Sequence, residues 1–329
     1  MVRRWGVTFP FGSGLLKDQA SLIAEAEALG YTELWSAEAN LSDGFTPLAL
    51  AALNTKTARL GTGIVPTYTR APLVLAQHAA SLNELAPGRV VLGLGSSATV
   101  VVQNWNGVRF RKPVSHVRDT YQAVRALLDG QRVTEKFETF ELIGSRYGGP
   151  LHERIPIYLA ALRPKMLRLA GQLADGVIIN MLSPAEVPRS LAEVAAGAEA
   201  SGRSPGDVDV ACRIFVIVTN DSEAVEEVAK RYLAGYLPVS TYRKFQEWLG
   251  RGEVLREMGE AWDRGERREA LAKLPMSVVN DLIVIGPPER CKERIIEYCE
   301  AGVAMPMLAF VGGDPVESMR AMSPQALNL

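Results

Sequence analysis

Residues 82–97, L-N-E-L-A-P-G-R-V-V-L-G-L-G-S-S, constrain the fold more tightly than any other stretch of the chain. Pro87-Gly88 closes a helix, and Gly88 stands where a helix C′ residue with positive φ belongs. Val90-Val91-Leu92 then run apolar without alternation. That is the pattern of a strand buried on both faces, as in a parallel sheet. Gly93 and Gly95 keep the strand's carboxyl end bare of side chains, so a flat ligand has room to lie against backbone there. Ser96 and Ser97 add hydroxyls and N–H groups just past the tip. In a (β/α)8 barrel this end of the strands carries the active site.

The rest of the chain supplies seven more strands of the same kind. They are expected at Trp5–Phe9, Thr32–Ser36, Arg59–Val65, Ile155–Leu159, Gly176–Asn180, Val208–Val218 and Ala304–Val311. Between them lie segments with helical spacing, among them Thr46–Thr57, Pro72–Leu85, Pro113–Leu128, Ser183–Ser201 and Glu289–Ala301. An eightfold strand–helix repeat with short connections predicts a single α/β domain over residues 1–329, a (β/α)8 TIM barrel. No G-x-G-x-x-G follows the first strand, which argues against a Rossmann sheet. Three segments interrupt the repeat and read as insertions: Thr99–Lys112, Thr134–His152 (a loose hairpin) and the helical, charged Ser222–Leu274. Arg264–Glu269 within the last reads as a solvated helix face. Arg89, just before its strand, is expected to pair with a carboxylate at the bottom of the barrel. His78 and His116 read as structural.

Net charge is −1, so no global basic field gathers nucleic acid or an anionic membrane. The three cysteines, Cys212, Cys291 and Cys299, form no C-x-x-C pair, and the three histidines are far apart, which argues against a metal site. No stretch is long and apolar enough to span a bilayer. With no apolar leader after Met1-Val2-Arg3-Arg4, a reducing cytoplasm is the expected compartment.

Six segments, in this order and spacing, resemble the bacterial-luciferase-like superfamily. They are A-E-A-E-A-L-G-Y-T-E-L-W (Ala24–Trp35), L-G-T-G-I-V (Leu60–Val65), Leu82–Gly95, K-P-V-S-H-V-R-D (Lys112–Asp119), I-P-I-Y-L-A-A (Ile155–Ala161) and A-D-G-V-I-I-N (Ala174–Asn180). The likeness is strongest to its coenzyme F420-dependent branch, which includes methylenetetrahydromethanopterin reductase. The resemblance implies a luciferase-like barrel, commonly a homodimer, with an F420 or FMN ring at the carboxyl ends of the strands. It also implies a non-proline cis peptide in a bulge on strand three, and the matching bond is Gly63-Ile64. Gly63 lets backbone approach the ring and Ile64 offers it an apolar face.

Around that ring, Gly95, Ser96, Ser97, Thr67 and Asn180 are candidate cofactor contacts. Ala160, Ala161, Leu162, Arg163 and Lys165 match the family's phosphate loop, at a helix N-terminus that favours an anion. The resemblance places glycine where Arg163 stands, so a charged fork is the candidate replacement for part of the backbone cradle, with a solvated helix start at Arg163 and Lys165 as the alternative reading. Several relatives also carry aspartate-histidine after strand two, where this chain has Glu38-Ala39. Glu38 is therefore the candidate acid/base, with a structural carboxylate as the alternative. Phe9 and Trp105 are candidate substrate contacts; Trp105 reads alternatively as packing its insertion onto the barrel. The expected function is F420-dependent hydride transfer to or from a small organic substrate. The alternatives are an FMN-dependent monooxygenase using reduced flavin and oxygen, and a flavin-binding barrel without catalysis.

Overall fold

The structure is a computed structural model and describes residues 4–12, 14–150 and 153–329. Eight strands form its centre: β1 (Gly6–Phe9), β2 (Glu33–Ser36), β3 (Arg59–Thr62), β4 (Val90–Gly95), β5 (Ile157–Ala160), β6 (Gly176–Asn180), β7 (Asp209–Val218) and β8 (Met305–Phe310). Every neighbouring pair is parallel, and β8 pairs back onto β1, so the sheet closes into a barrel without a free edge. A parallel partner cannot be reached by a tight turn, so a helix crosses over after each strand. These helices are α1 (Ala20–Ala28), α2 (Thr46–Asn54), α3 (Pro72–Leu85), α4 (Pro113–Leu128), α5 (Pro164–Leu173), α6 (Val187–Ala200), α7 (Pro288–Glu300) and α8 (Pro315–Ala321).

The period of two along each strand divides the apolar residues between two cores. Outward residues such as Val7, Leu34, Leu60, Leu92 and Ile214 pack beneath the helices in the main core. Inward residues Trp35, Val91, Tyr158, Ile178, Ala211, Met305 and Met307 fill the barrel as a separate plug. Gly61 makes room for it, since a Cβ there would lie 2.4 Å from the Trp35 ring. At the amino end a charged lid closes the barrel. Glu33, 1% exposed, accepts from Arg4 at 2.6 Å, Arg59 at 3.2 Å and Trp35 Nε1 at 3.1 Å.

Several expectations shift. The third strand, read as Arg59–Val65 with a bulge at Gly63-Ile64 implied by the resemblance, stops at Thr62, and the bulge is present. The Gly63–Ile64 peptide is cis, and a two-residue strand, Val65–Pro66, resumes against β4. Among the described residues Arg89 forms no ion pair, with Glu27 near enough to act on its charge but not to bond it. Its guanidinium donates to Thr55 Oγ1 and to the carbonyls of Ala52, Thr55 and Ala58, groups left open where α2 ends. A π-helical turn, Val100–Trp105, occupies the first predicted insertion. The second contains an antiparallel hairpin, Val133–Lys136 with Glu141–Ser145; its last two positions, Leu151 and His152, lie outside the described residues. The third holds helices Glu226–Ala234, Ser240–Leu249, Arg256–Asp263 and Arg267–Ala272, followed by Met276–Leu282. Ile283–Gly286 adds a short strand to the carboxyl end of β7.

Candidate active site at the carboxyl end of the barrel

The mouth of the barrel has an apolar floor. Ile64 and Ala160, both half-buried, rest on the interior plug. Gly95 lies against both, because a Cβ there would be 3.0 Å from Ile64 Cγ1 and 3.2 Å from Ala160 Cβ. The bulge that carries Ile64 is strapped in place on both sides. Gly63 N donates to Ser36 O at 2.7 Å, Glu38 N donates to Ile64 O at 3.1 Å, and Thr67 N donates to Gly95 O at 2.9 Å. Three sequence-predicted residues on three different strands or exits thus form one surface, and Gly63 lies partly open beside it.

Glu38 sits at the exit of β2 with both carboxylate oxygens engaged. Oε2 accepts from Gly44 N at 2.9 Å, and Oε1 pairs with Arg70. Both side chains are largely buried, about 15% exposed. The Arg70 guanidinium lies 5.5 Å from the centre of the Phe45 ring, and Phe45 stacks on His78 at 4.7 Å. Glu38 is therefore a fixed anion that holds the β2 and β3 exits together.

Thr67 is 2% exposed, and its hydroxyl is buried without a hydrogen-bond partner. It shares this with the hydroxyls of Thr8, Ser36 and Thr69, and is free to meet an added acceptor. His116 Nε2 lies 3.2 Å from the Thr67 carbonyl, which it meets as a donor, and its ring stacks on Tyr68 at 3.9 Å. Burial pulls the His116 pKa below its ordinary value, against smaller opposing pulls from Thr67 and Asp119. Ser96 and Ser97 are half-buried just past β4. Ser97 has φ 57°, and Met181, just past β6, has φ 58°. Left-handed residues other than glycine gather at functional sites more than elsewhere, and these two flank the mouth. Asn180 ends β6 between them, half-buried.

At the exit of β5, Ala161 N donates to Ile178 O at 3.0 Å, and Leu162 leads to Arg163 at the N-cap of α5. No side chain caps this helix, and Pro164 takes its first position. The exposed side chains of Arg163 and Lys165 flank the bare N-terminus, where the helix dipole adds to their charge.

Two predicted residues lie elsewhere. Phe9 points outward, 2% exposed, and packs on Phe11 in the main core; its inward neighbour on β1 is Thr8. Trp105 neither lines the floor nor packs its segment down, for it is 55% exposed. Conversely, sequence reasoning passed over an inward residue of β7, Arg213, and the aromatic cluster Phe215, Tyr232, Tyr236 and Tyr242 beside it. A lone arginine at an inward position of an otherwise apolar strand was the available signal. Among the described residues no group of acidic, histidine and cysteine side chains is arranged to hold a metal, the three cysteines are free, and no helix is long and apolar enough to cross a membrane.

A family model described as luciferase-like monooxygenase matches residues 8–305. The chain is 29% identical to the 5,10-methylenetetrahydromethanopterin reductase of Methanolobus tindarius, over 88% of each chain. Among solved structures it resembles the coenzyme F420-dependent tetrahydromethanopterin reductase of Methanopyrus kandleri, with TM-score 0.83 and 22% identity over 99% of this chain and 98% of that one. It also resembles an F420-dependent secondary alcohol dehydrogenase bound to an F420-acetone adduct, with TM-score 0.82 and 18% identity over 99% and 98%.

Proposed function

The chain belongs to the luciferase-like monooxygenase family, and from that membership we propose that it is a coenzyme F420-dependent oxidoreductase acting on a small organic substrate. The observation that carries this reading is the backbone-lined floor of Gly63, Ile64, Gly95 and Ala160, with the plug of the barrel directly beneath it. It suits a rigid planar ring, which gains contact area there without displacing side chains. The unpartnered Thr67 hydroxyl and the half-buried Ser96, Ser97 and Asn180 supply hydrogen bonds around the ring's edge. Arg163 and Lys165, with the uncapped start of α5 and the Ala160–Leu162 turn, hold the phosphate end.

When bound, F420 supplies the hydride or accepts it at C5 of the deazaflavin. The protein's part is to bind, orient and exclude water. Glu38 keeps the β2 and β3 exits in one arrangement through Arg70 and Gly44. The substrate then lies over the exposed face of the ring, bounded by the segments 99–112, 134–150 and 222–274. The same reading makes the protein a cytoplasmic homodimer; exposed Leu53 on α2 and Leu85 on α3 support an apolar contact with a second copy.

Parallel titrations with F420 and FMN, followed by fluorescence quenching, test the cofactor. The expected result is at least tenfold tighter binding of F420, with no oxygen consumed by the reduced complex. Preferential FMN binding with oxygen uptake contradicts it.

A further inference from the structure

Arg213 is the one charged residue between Val210 and Val218 of β7. Ala211, two residues before it, belongs to the interior plug. The period of two therefore places Arg213 on the same inward face, one layer nearer the mouth. It stands in register with Asn180 on β6 and Met307 on β8. In a closed ring of eight strands β7 lies opposite β3, so Arg213 faces the mouth from the side across from Ile64. A ring seated on Ile64, Gly95 and Ala160 leaves the second reactant to the β7 side.

Among the described residues the guanidinium has no carboxylate partner. Its Nε is buried with no hydrogen-bond partner, and its charge lies against the Phe215 ring at 5.4 Å and beside Tyr232 and Tyr242. Other partly buried arginines have partners for their donors: Arg4 has Glu33 and Asp209, Arg251 has Glu186 and Asp281, and Arg89 has the carbonyls at the end of α2. The acid at the mouth, Glu38, is already taken by Arg70. A partly buried cation without a carboxylate is costly unless something else supplies the negative charge. Beside it, Phe215, Tyr232, Tyr236 and Tyr242 form an aromatic wall with successive ring centroids 5.0, 5.4 and 5.2 Å apart, and the Tyr242 hydroxyl faces Asn180.

We propose that Arg213 is the anion anchor of the substrate site: the substrate carries a carboxylate, received by the guanidinium fork, and its apolar body lies between the tyrosine wall and the cofactor. This deepens the F420 reading and rests on it for the placement of the ring. A planar fork matches a carboxylate through two parallel hydrogen bonds, which fixes the substrate's orientation as well as its presence.

Benzoate and benzamide probe the site with the same shape, charged and neutral. Calorimetric titration is made on the protein with and without F420, in the wild type and in Arg213→Gln and Arg213→Lys. The wild type should bind benzoate at least tenfold more tightly than benzamide. R213Q should lose that preference while binding benzamide and F420 as the wild type does. R213K keeps the charge without the fork and should retain part of the preference, and it serves if R213Q does not fold. No preference in the wild type, or an undiminished one in both variants, overturns the proposal. So does loss of F420 affinity in a folded variant, which would assign Arg213 to the cofactor. Benzoate selectivity in a protein that fails to bind F420 would uphold the anion site and sink the cofactor reading alone.

Discussion

At the scale of single residues, charge pairing decides what the mouth can do. Glu38 is engaged on both oxygens, so Glu38→Gln leaves the Gly44 bond but strips Arg70 of its partner. That change should destabilise the fold by about 1–3 kcal/mol, measured by urea denaturation. If turnover falls further than this loss of folded protein explains, the carboxylate also serves the reaction. His116 gives a pH dependence of known sign. Its folded pKa is depressed by burial, so the neutral form is favoured in the native state. The unfolded chain takes up protons first, below its own pKa of about 6.5. The contribution is then fully present above that value and is lost as pH falls through the folded pKa. Denaturation curves from pH 8 to pH 5 should show His116→Asn losing less stability on acidification than the wild type. Glu38 was legible in the sequence as the titratable residue at its exit, whereas its pairing with Arg70, 32 residues on, shows only in the fold. Arg213 was hidden because apolar runs draw attention to their hydrophobic members, and only the inward parity exposes the exception.

At the scale of elements, the break in β3 shapes the site. Backbone pairing between β3 and β4 covers only Leu60–Val90 and Gly61–Val91 before the bulge, and resumes at Val65–Leu94. In the gap the Thr62 hydroxyl takes the place of the ladder, accepting from Gly93 N and donating to Gly93 O, both at 2.8 Å. Gly93 must be glycine there, since a Cβ would meet Thr62 O at 1.9 Å. Thr62→Val keeps the shape but orphans two buried backbone groups, and should cost about 1–3 kcal/mol by urea denaturation. It should also weaken F420 binding, because the floor loses its brace. Periodicity located α3 and α4 to the residue, since Pro72 and Pro113 mark their starts. It could not find the break in β3, because Arg59–Val65 reads as one strand-like stretch whose two glycines mark no particular bond; the expectation came from the family resemblance instead. Helix α8 went unread: its start, Asp314, caps Val316 and Glu317 but follows a Gly-Gly pair that reads as the end of structure.

At the scale of the whole molecule, the closed ring turns eight separate exits into one mouth. The eightfold repeat made the barrel legible from sequence, because buried parallel strands and helices opened by a proline, as in α2 to α5, are each marked locally. The identity of the mouth residues was only half legible, since it depends on which face of each strand turns inward. That parity moved Phe9 out of the site and brought Arg213 in. The most direct test is a crystal structure of the F420 complex. The deazaflavin ring should lie in van der Waals contact, within about 4 Å, of Ile64, Gly95 and Ala160, with its phosphate end toward Arg163 and Lys165. A ring bound away from that surface, or a mouth closed over it by side chains, would contradict the account.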